Sequence, residues 1–470
     1  MTLSEQLYLK VANEIEHQII HDALKVGAKL PSLRTLSTEK RVSKNTALNA
    51  YFELERRGLI ESRAKSGYFV ARQNKHLREV PSTSQPIQVK STSDLSEIFT
   101  SIYLNNGLEG INLSSSQLSP ELLPVAKLNK EIISAIRKLP YGGMQYERFG
   151  NEKLKKQIAL RSLKWGGKLR PEDVIPTQGC FDAISLCLLA LLKTGDTIGV
   201  ESPVHYGIIN LANTLGYKIF ELPTNPITGI ELDGLKNIVQ QNKIDLLLLM
   251  GNFSNPFGSC MPEENKKEVV SLLTKYNIPI IEDDIYSDFH FDTRYPTFCK
   301  TYDESGIVMW CGSVSKTLAG GYRVGWLVPG KFKSQIQKSK PYHPVNCNSI
   351  THEAVANFFE NNRYDNYLNK VRQTLYSNSL NILNVINSYF PIDTKVTRPK
   401  GGMQLWVELN NKIDSMDLYN IAIVNKINIV PGRTFTLQNQ YNNCFKLSYG
   451  MVWNDKIENA LKLLGKLAAK

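Results

Sequence analysis

The chain has 470 residues, 42 % of them hydrophobic and 21 % charged, which is an ordinary globular balance with material for roughly two to four domains. It contains no run of about 18 apolar residues, so no membrane-spanning helix is expected, and its N-terminus lacks the apolar stretch of a signal peptide. Seven cysteines at irregular spacing, none in a C-x-x-C pair, exclude a sequence-evident metal site and read as reduced thiols in a cytoplasmic protein.

The net charge is +12, of which residues 1–80 carry +5, so the N-terminal part is several-fold denser in positive charge and suggests a polyanionic partner there. Within 5–22, Leu7, Val11, Ile15 and Ile19 recur at steps of four and predict one helix face. Ser32 is placed to cap a short second helix to about Lys40, and Ser43 a third to about Arg57, where Gly58 stops it. LIESR, AKSG and YFV then predict two short strands joined by a basic turn. Three helices followed by a hairpin is the winged helix-turn-helix order, with the third helix entering the major groove of double-stranded DNA. The candidate DNA contacts are Ser43, Lys44, Asn45 and Thr46 in its first turn, Arg34 on the preceding helix, and Lys65 and Gly67 in the wing. The stretch 27–70 resembles the GntR-type domain of bacterial transcription regulators. Such domains usually have a glycine where this chain has Lys65.

Residues 71–107 are rich in Ser, Thr, Gln and Pro and are expected to be a linker, flexible in its first half. The expected boundaries are 1–71, a linker at 72–107, and one large unit at 108–470. Within that unit, short apolar runs such as DTIGV (196–200), DLLLLM (245–250), IPIIED (278–283) and GIVMWCGS (306–313) alternate with helical patterns. This predicts a parallel α/β sheet with ligands at the C-terminal ends of its strands.

The polar motifs fall at those ends. GSVSKTLAGGYRVGW at 312–326 sets Lys316 among small residues, with Arg323 downstream. A lysine that bonds to pyridoxal 5′-phosphate needs a matching set of partners. Backbone amides, hydroxyls and a fixed cation suit the phosphate: Gly179, Cys180 and Phe181 opening a helix, then Ser313, Ser315 and Arg323. A carboxylate suits the pyridine nitrogen, and Asp283 ends an apolar run. Tyr286 and Asn255 are placed for the phenolic oxygen, and His205 or Tyr206 for the ring face. No metal ligand set is evident.

This order of motifs, over roughly 110–470, resembles the fold-type-I aminotransferase superfamily. The resemblance implies that Lys316 is the Schiff-base lysine, Asp283 the pyridine-nitrogen partner, and Asn255 and Tyr286 the partners of the phenolic oxygen. It also implies a homodimer in which Tyr146 reaches a neighbouring subunit's phosphate, with a large domain at about 108–344 and a smaller α/β domain at about 345–470. In CFKLSYG (444–450) Lys446 occupies the place of the usual arginine that grips a substrate carboxylate, and an ammonium is no geometric equivalent of a guanidinium fork.

Together the two halves resemble the MocR/GabR family of bacterial transcription regulators. That implies an operator-binding protein whose pyridoxal phosphate domain senses an amine or amino-acid effector by exchange at Lys316, with little or no aminotransferase turnover. Two alternatives remain open from the sequence: a working aminotransferase with an appended DNA-binding domain, and a regulator that senses pyridoxal phosphate itself to control vitamin B6 genes.

Overall fold

The computed structural model describes residues 3–21, 23–63, 66–71, 78–86, 110–145, 147, 150–339, 348–360 and 362–469. Lys65 and Tyr146 lie outside the described residues.

The N-terminal unit has the expected order: α1 (Leu3–Ile20), α2 (Leu33–Glu39), α3 (Lys44–Arg56), then the antiparallel strands β1 (Ile60–Arg63) and β2 (Gly67–Val70). Ser32 and Ser43 cap α2 and α3, each side chain accepting from the backbone N–H three residues on. The buried face of α1 is Tyr8, Val11, Ala12, Ile15 and Ile19, against Leu36, Ala50, Tyr51 and Leu54. The expected member Leu7 is instead 40 % exposed. A strict step of four overshoots a 3.6-residue turn by about 40° each time, so Leu7 drifts off the stripe that Ile15 and Ile19 define and Tyr8 replaces it.

The large domain is built on a seven-stranded sheet. Its strands run in the order Ile175–Thr177, Gly325–Val328, Val308–Ser313, Ile280–Asp284, Leu246–Leu249, Thr197–Glu201 and Lys218–Leu222. Only Gly325–Val328 runs against the others. The strand interiors are buried on both faces, as their apolar runs require. A smaller four-stranded antiparallel sheet (Lys395–Val396, Gln404–Glu408, Cys444–Ser448, Val430–Pro431) forms the C-terminal domain beside the long helix Arg363–Tyr389. Residues Ile111–Asn112 pair with Ile427–Asn428, so the chain enters this unit along its C-terminal domain.

Part of the stretch expected to be flexible is packed down. Residues 78–86 lie on the large unit, with Arg78 buried and its guanidinium donating to the carbonyls of Ile386, Asn387, Phe390 and Pro391 at the end of the long helix. Carbonyls at a helix end run short of intrahelical partners, only Ile386 here accepting from Phe390 N–H at 3.2 Å, and a fixed cation satisfies several at once. Ser84 and Thr224 exchange hydrogen bonds, Ser84 N–H donating to the Thr224 carbonyl at 3.0 Å and Thr224 N–H to Ser84 Oγ at 2.8 Å.

Candidate functional site

The strands end where the sequence places the polar motifs. Asp283 lies at the end of Ile280–Asp284, Ser313 closes Val308–Ser313, and Asn255 lies six residues past Leu246–Leu249. Parallel strands end at one edge, so these loops converge.

Gly179 caps the helix Cys180–Leu191 with φ of 103°, a conformation that favours glycine. A Cβ at this position would lie 2.7 Å from Arg323 Nη2 and 3.5 Å from Ser315 Oγ. Helix N-terminus, guanidinium and hydroxyl therefore surround one small space. Gly325 packs directly behind, where a Cβ would meet the Gly179 backbone at 2.5 Å. Arg323 is held by the carbonyls of Gln178 (2.9 Å) and Gly320 (3.3 Å), and Ser315 N–H donates to Ser313 Oγ.

Lys316 lies between Asp283 and Arg323. Burial pushes its ammonium pKa down; the Asp283 carboxylate opposes the shift and Arg323 adds to it. Burial raises Asp283 to about 6, held there by the Cys180 thiol and Lys316. The side chain of Cys180, expected to contribute only its amide, donates from Sγ to Asp283 Oδ1 at 3.1 Å. Near Asp283, Glu201 accepts from Met250 N–H at 2.8 Å, and burial pushes its carboxyl up to about 8. It is therefore mostly protonated at neutral pH and adds little negative charge.

The opposite wall holds Asn255, Tyr286, His205 and Lys446. His205 is pushed down to about 3 by burial and by the nearby Lys446 and Lys316, so it is a neutral ring. Its Nδ1 accepts from Gly207 N–H at 3.2 Å, and Tyr206 stacks on it at 4.4 Å. Lys446 is buried, its Nζ 2.9 Å from Ser116 Oγ and 5.8 Å from the Phe435 ring centroid. Burial, with Lys316 nearby, brings it down to about 7.

Three buried polar atoms in these walls have no hydrogen-bond partner: Ser315 Oγ, Asn255 Oδ1 and Tyr286 Oη. Buried polar atoms are rarely left unpaired, and two of these, the Ser315 and Tyr286 hydroxyls, lie where a phosphate and a phenolic oxygen would accept from them. The donor set therefore fits pyridoxal phosphate.

Three contributors escape sequence reasoning: the Cys180 thiol on Asp283, Ser116 on Lys446, and Tyr364. The Tyr364 hydroxyl bridges Thr317, next to the lysine, at 2.6 Å and Asp288 at 2.7 Å. None carries a motif, and Ser116 and Lys446 are 330 positions apart.

On the N-terminal unit, Arg34, Ser43, Lys44, Asn45 and Gly67 are exposed and Thr46 half-buried. Ser43 and Thr46 bond to each other at 2.8 Å, which leaves Lys44 and Asn45 as the uncommitted groups of that turn. Among the described residues no helix is long and apolar enough to cross a membrane.

Known proteins share this order of domains. The family "Aminotransferase class I and II" matches residues 109–464, and "Bacterial regulatory proteins, gntR family" matches 7–70. HTH-type transcriptional regulator YjiR of Escherichia coli (strain K12) is 31 % identical over 99 % of this chain and 98 % of its own length. The chain belongs to the MocR/GabR family of bacterial transcription regulators. A further relative of this MocR/GabR chain is NorG of Staphylococcus aureus (strain USA300), 28 % identical over 92 % of this chain and 98 % of its own. Among solved structures, the multiple substrate aminotransferase of Thermococcus profundus superposes with a TM-score of 0.73 at 22 % identity, over 80 % of this chain and 95 % of that one. LysN, the alpha-aminoadipate aminotransferase of Thermus thermophilus, gives 0.71 at 23 % identity, over 80 % and 98 %. These likenesses establish the aminotransferase fold for the C-terminal part of this MocR/GabR chain.

Proposed function

We propose that this regulator holds pyridoxal phosphate at Lys316 and uses it to sense an amine or amino acid. The observation that carries the reading is the pair of unpartnered hydroxyls, Ser315 Oγ and Tyr286 Oη, around a buried lysine and carboxylate. When bound, pyridoxal phosphate supplies an aldehyde that condenses with amines and a ring that withdraws electrons.

The chain's own residues do the rest. Ser313, Ser315, Arg323 and the amides after Gly179 hold the phosphate. Burial increases the neutral, nucleophilic fraction of Lys316. Asp283, ionised above about 6, pairs with the ring nitrogen, while Asn255 and Tyr286 orient the phenolic oxygen. His205 covers the ring as a neutral aromatic, and Lys446 receives the effector's anionic group. Lys316 would hold the cofactor's aldehyde, and a lysine that can be bound or free is a two-state element on which regulation can act. The first turn of α3 reads operator DNA, and the protein works as a homodimer in the cytoplasm.

Lys446 favours sensing over turnover. A lone ammonium fixes a carboxylate at one point, whereas transamination needs it oriented as by the guanidinium fork. The test is selection of bound duplex fragments by the full-length protein, with and without pyridoxal phosphate and candidate amines. The reading expects enrichment of one sequence class and a response to an amine. No enrichment in any state would refute it. Steady conversion of an amino acid and 2-oxoglutarate would favour the enzyme, and a DNA response to cofactor alone would favour a cofactor sensor.

A further inference from the structure

The turn of α3 assigned to DNA reading does not face open solvent on all sides. Ser43, Asn45 and Thr46 line a cleft of about 330 Å³ whose other wall belongs to the large domain, with Glu263, His290, Asp292 and Pro296. Reading a major groove requires the helix to enter a channel about 12 Å wide with a phosphate strand on each side. Because Ser43, Asn45 and Thr46 face this wall, a duplex that took the first turn of α3 into its major groove would meet the large domain. The cleft's charges do not decide the matter, since the carboxylates of Asp292 and Glu263 are accompanied by Lys266, Arg294 and Lys400, with Arg294 paired to Glu263 at 2.9 Å.

The other half of α3 is what holds the unit there. The Phe52 ring packs on Tyr376 of the long helix with centroids 4.9 Å apart. The Tyr376 hydroxyl donates to Glu55 Oε2 at 2.6 Å, and Glu55 Oε1 accepts from Ser62 N–H of β1 at 2.8 Å. One tyrosine therefore grips both the reading helix and the wing. From α1, the Tyr8 hydroxyl accepts from Lys400 Nζ at 3.4 Å.

The same junction touches the loops of the cofactor site. Tyr376 packs on Phe291 at 5.4 Å, and Phe291 on Tyr449 at 6.4 Å. A single helical turn, Ser287–Phe289, separates Phe291 from Tyr286. Tyr449 lies three residues past Lys446, just beyond the same strand. Phe253, two residues before Asn255, lines the cleft itself.

We infer that the face around Tyr376 is an intramolecular docking surface for α3, that the docked arrangement is closed to operator DNA, and that changes at Tyr286, Asn255 and Lys446 reach the winged helix by loosening this contact. The inference rests on the proposed DNA-reading role of α3 and adds how that role is restrained. Tyr376 lies on the long helix Arg363–Tyr389, outside the winged-helix unit, so replacing it leaves the DNA-reading residues untouched.

The test measures affinity of the cofactor-free, full-length protein for a selected operator fragment, by fluorescence anisotropy at fixed salt. Tyr376→Ala removes the ring and hydroxyl, and should tighten binding about tenfold or more. Tyr376→Phe keeps the ring and loses only the hydrogen bond to Glu55, worth about 1 kcal/mol, and should tighten binding about fivefold. If Tyr376→Ala fails to fold, Tyr376→Phe decides alone. Affinities equal to or weaker than wild type, in proteins that bind the fragment, overturn the docking inference and leave the regulator reading standing. If wild type and variants alike bind no fragment, with or without cofactor and amines, the regulator reading itself fails and the inference falls with it.

Discussion

Cys180 donates a hydrogen bond from its thiol to the carboxylate of Asp283, Sγ to Oδ1 at 3.1 Å, in the first turn of the helix that opens at Gly179. One short segment thus addresses both ends of the proposed cofactor: its amides face the phosphate and its thiol steadies the acid for the ring nitrogen. Cys180→Ala should weaken pyridoxal phosphate binding about fivefold, while Cys180→Ser, which restores a donor, should stay near wild type. Titration of the cofactor absorbance checks both.

The pH dependence of that binding follows from Asp283. Its folded-state value, about 6, lies above the ordinary 3.8. Folding therefore binds protons between those values, and this group's contribution to stability falls as pH rises through that window. Cofactor capture needs the ionised form and should weaken as pH falls below about 6. Cys180→Ala removes a hydrogen bond that favours ionisation, so the midpoint should move to higher pH. A midpoint unmoved in the variant would count against the thiol's role.

Lys446 works in the opposite sense. Its value falls from 10.5 to about 7 through burial and the nearby Lys316. The cost of its buried charge is fully present below about 7 and is relieved as pH climbs toward 10.5. An anionic ligand needs the charged form, so its affinity should drop by up to about tenfold per pH unit above 7. Lys446→Met should abolish that slope and stabilise the ligand-free protein at pH 6 more than at pH 9, by thermal melting and ligand titration.

Gly179 tests the phosphate cradle. With φ of 103° and a Cβ 2.7 Å from Arg323 Nη2, Gly179→Ala should cost about 1–2 kcal/mol of stability and displace the guanidinium. A lowered melting temperature together with weakened binding of inorganic phosphate is the expected outcome.

On the DNA side, Lys44→Ala should weaken operator binding and reduce the dependence of log affinity on log salt by about one. Lys44 is exposed in the first turn of α3, so the loss should occur without a change in melting temperature.

Much of the site is legible in the sequence because it is carried by local chemistry. Glycine at a helix start, acid after an apolar run, and lysine between small residues each announce themselves within ten positions, and the strands deliver them to one edge. The capping serines of α2 and α3 are legible for the same reason. What escapes has no local period. Cys180 points at Asp283 across 103 positions, and Arg78 reaches carbonyls more than 300 away. Leu7 reads as part of the α1 core because steps of four mimic a stripe over two turns and drift off it over four. The linker composition of 71–107 conceals an anchor, since one arginine in a polar stretch looks solvated until a helix end needs it.

That anchor sets a reach. Val70 closes the wing hairpin, Ala71 N–H still bonds the Leu59 carbonyl at 2.9 Å, and Arg78 is fixed to the large unit. The seven steps of chain from 71 to 78 span at most about 25 Å fully extended. A winged helix that leaves its dock while Arg78 holds remains on a leash no longer than the width of a small domain. DNA bound by that winged helix would then lie alongside the aminotransferase-fold unit.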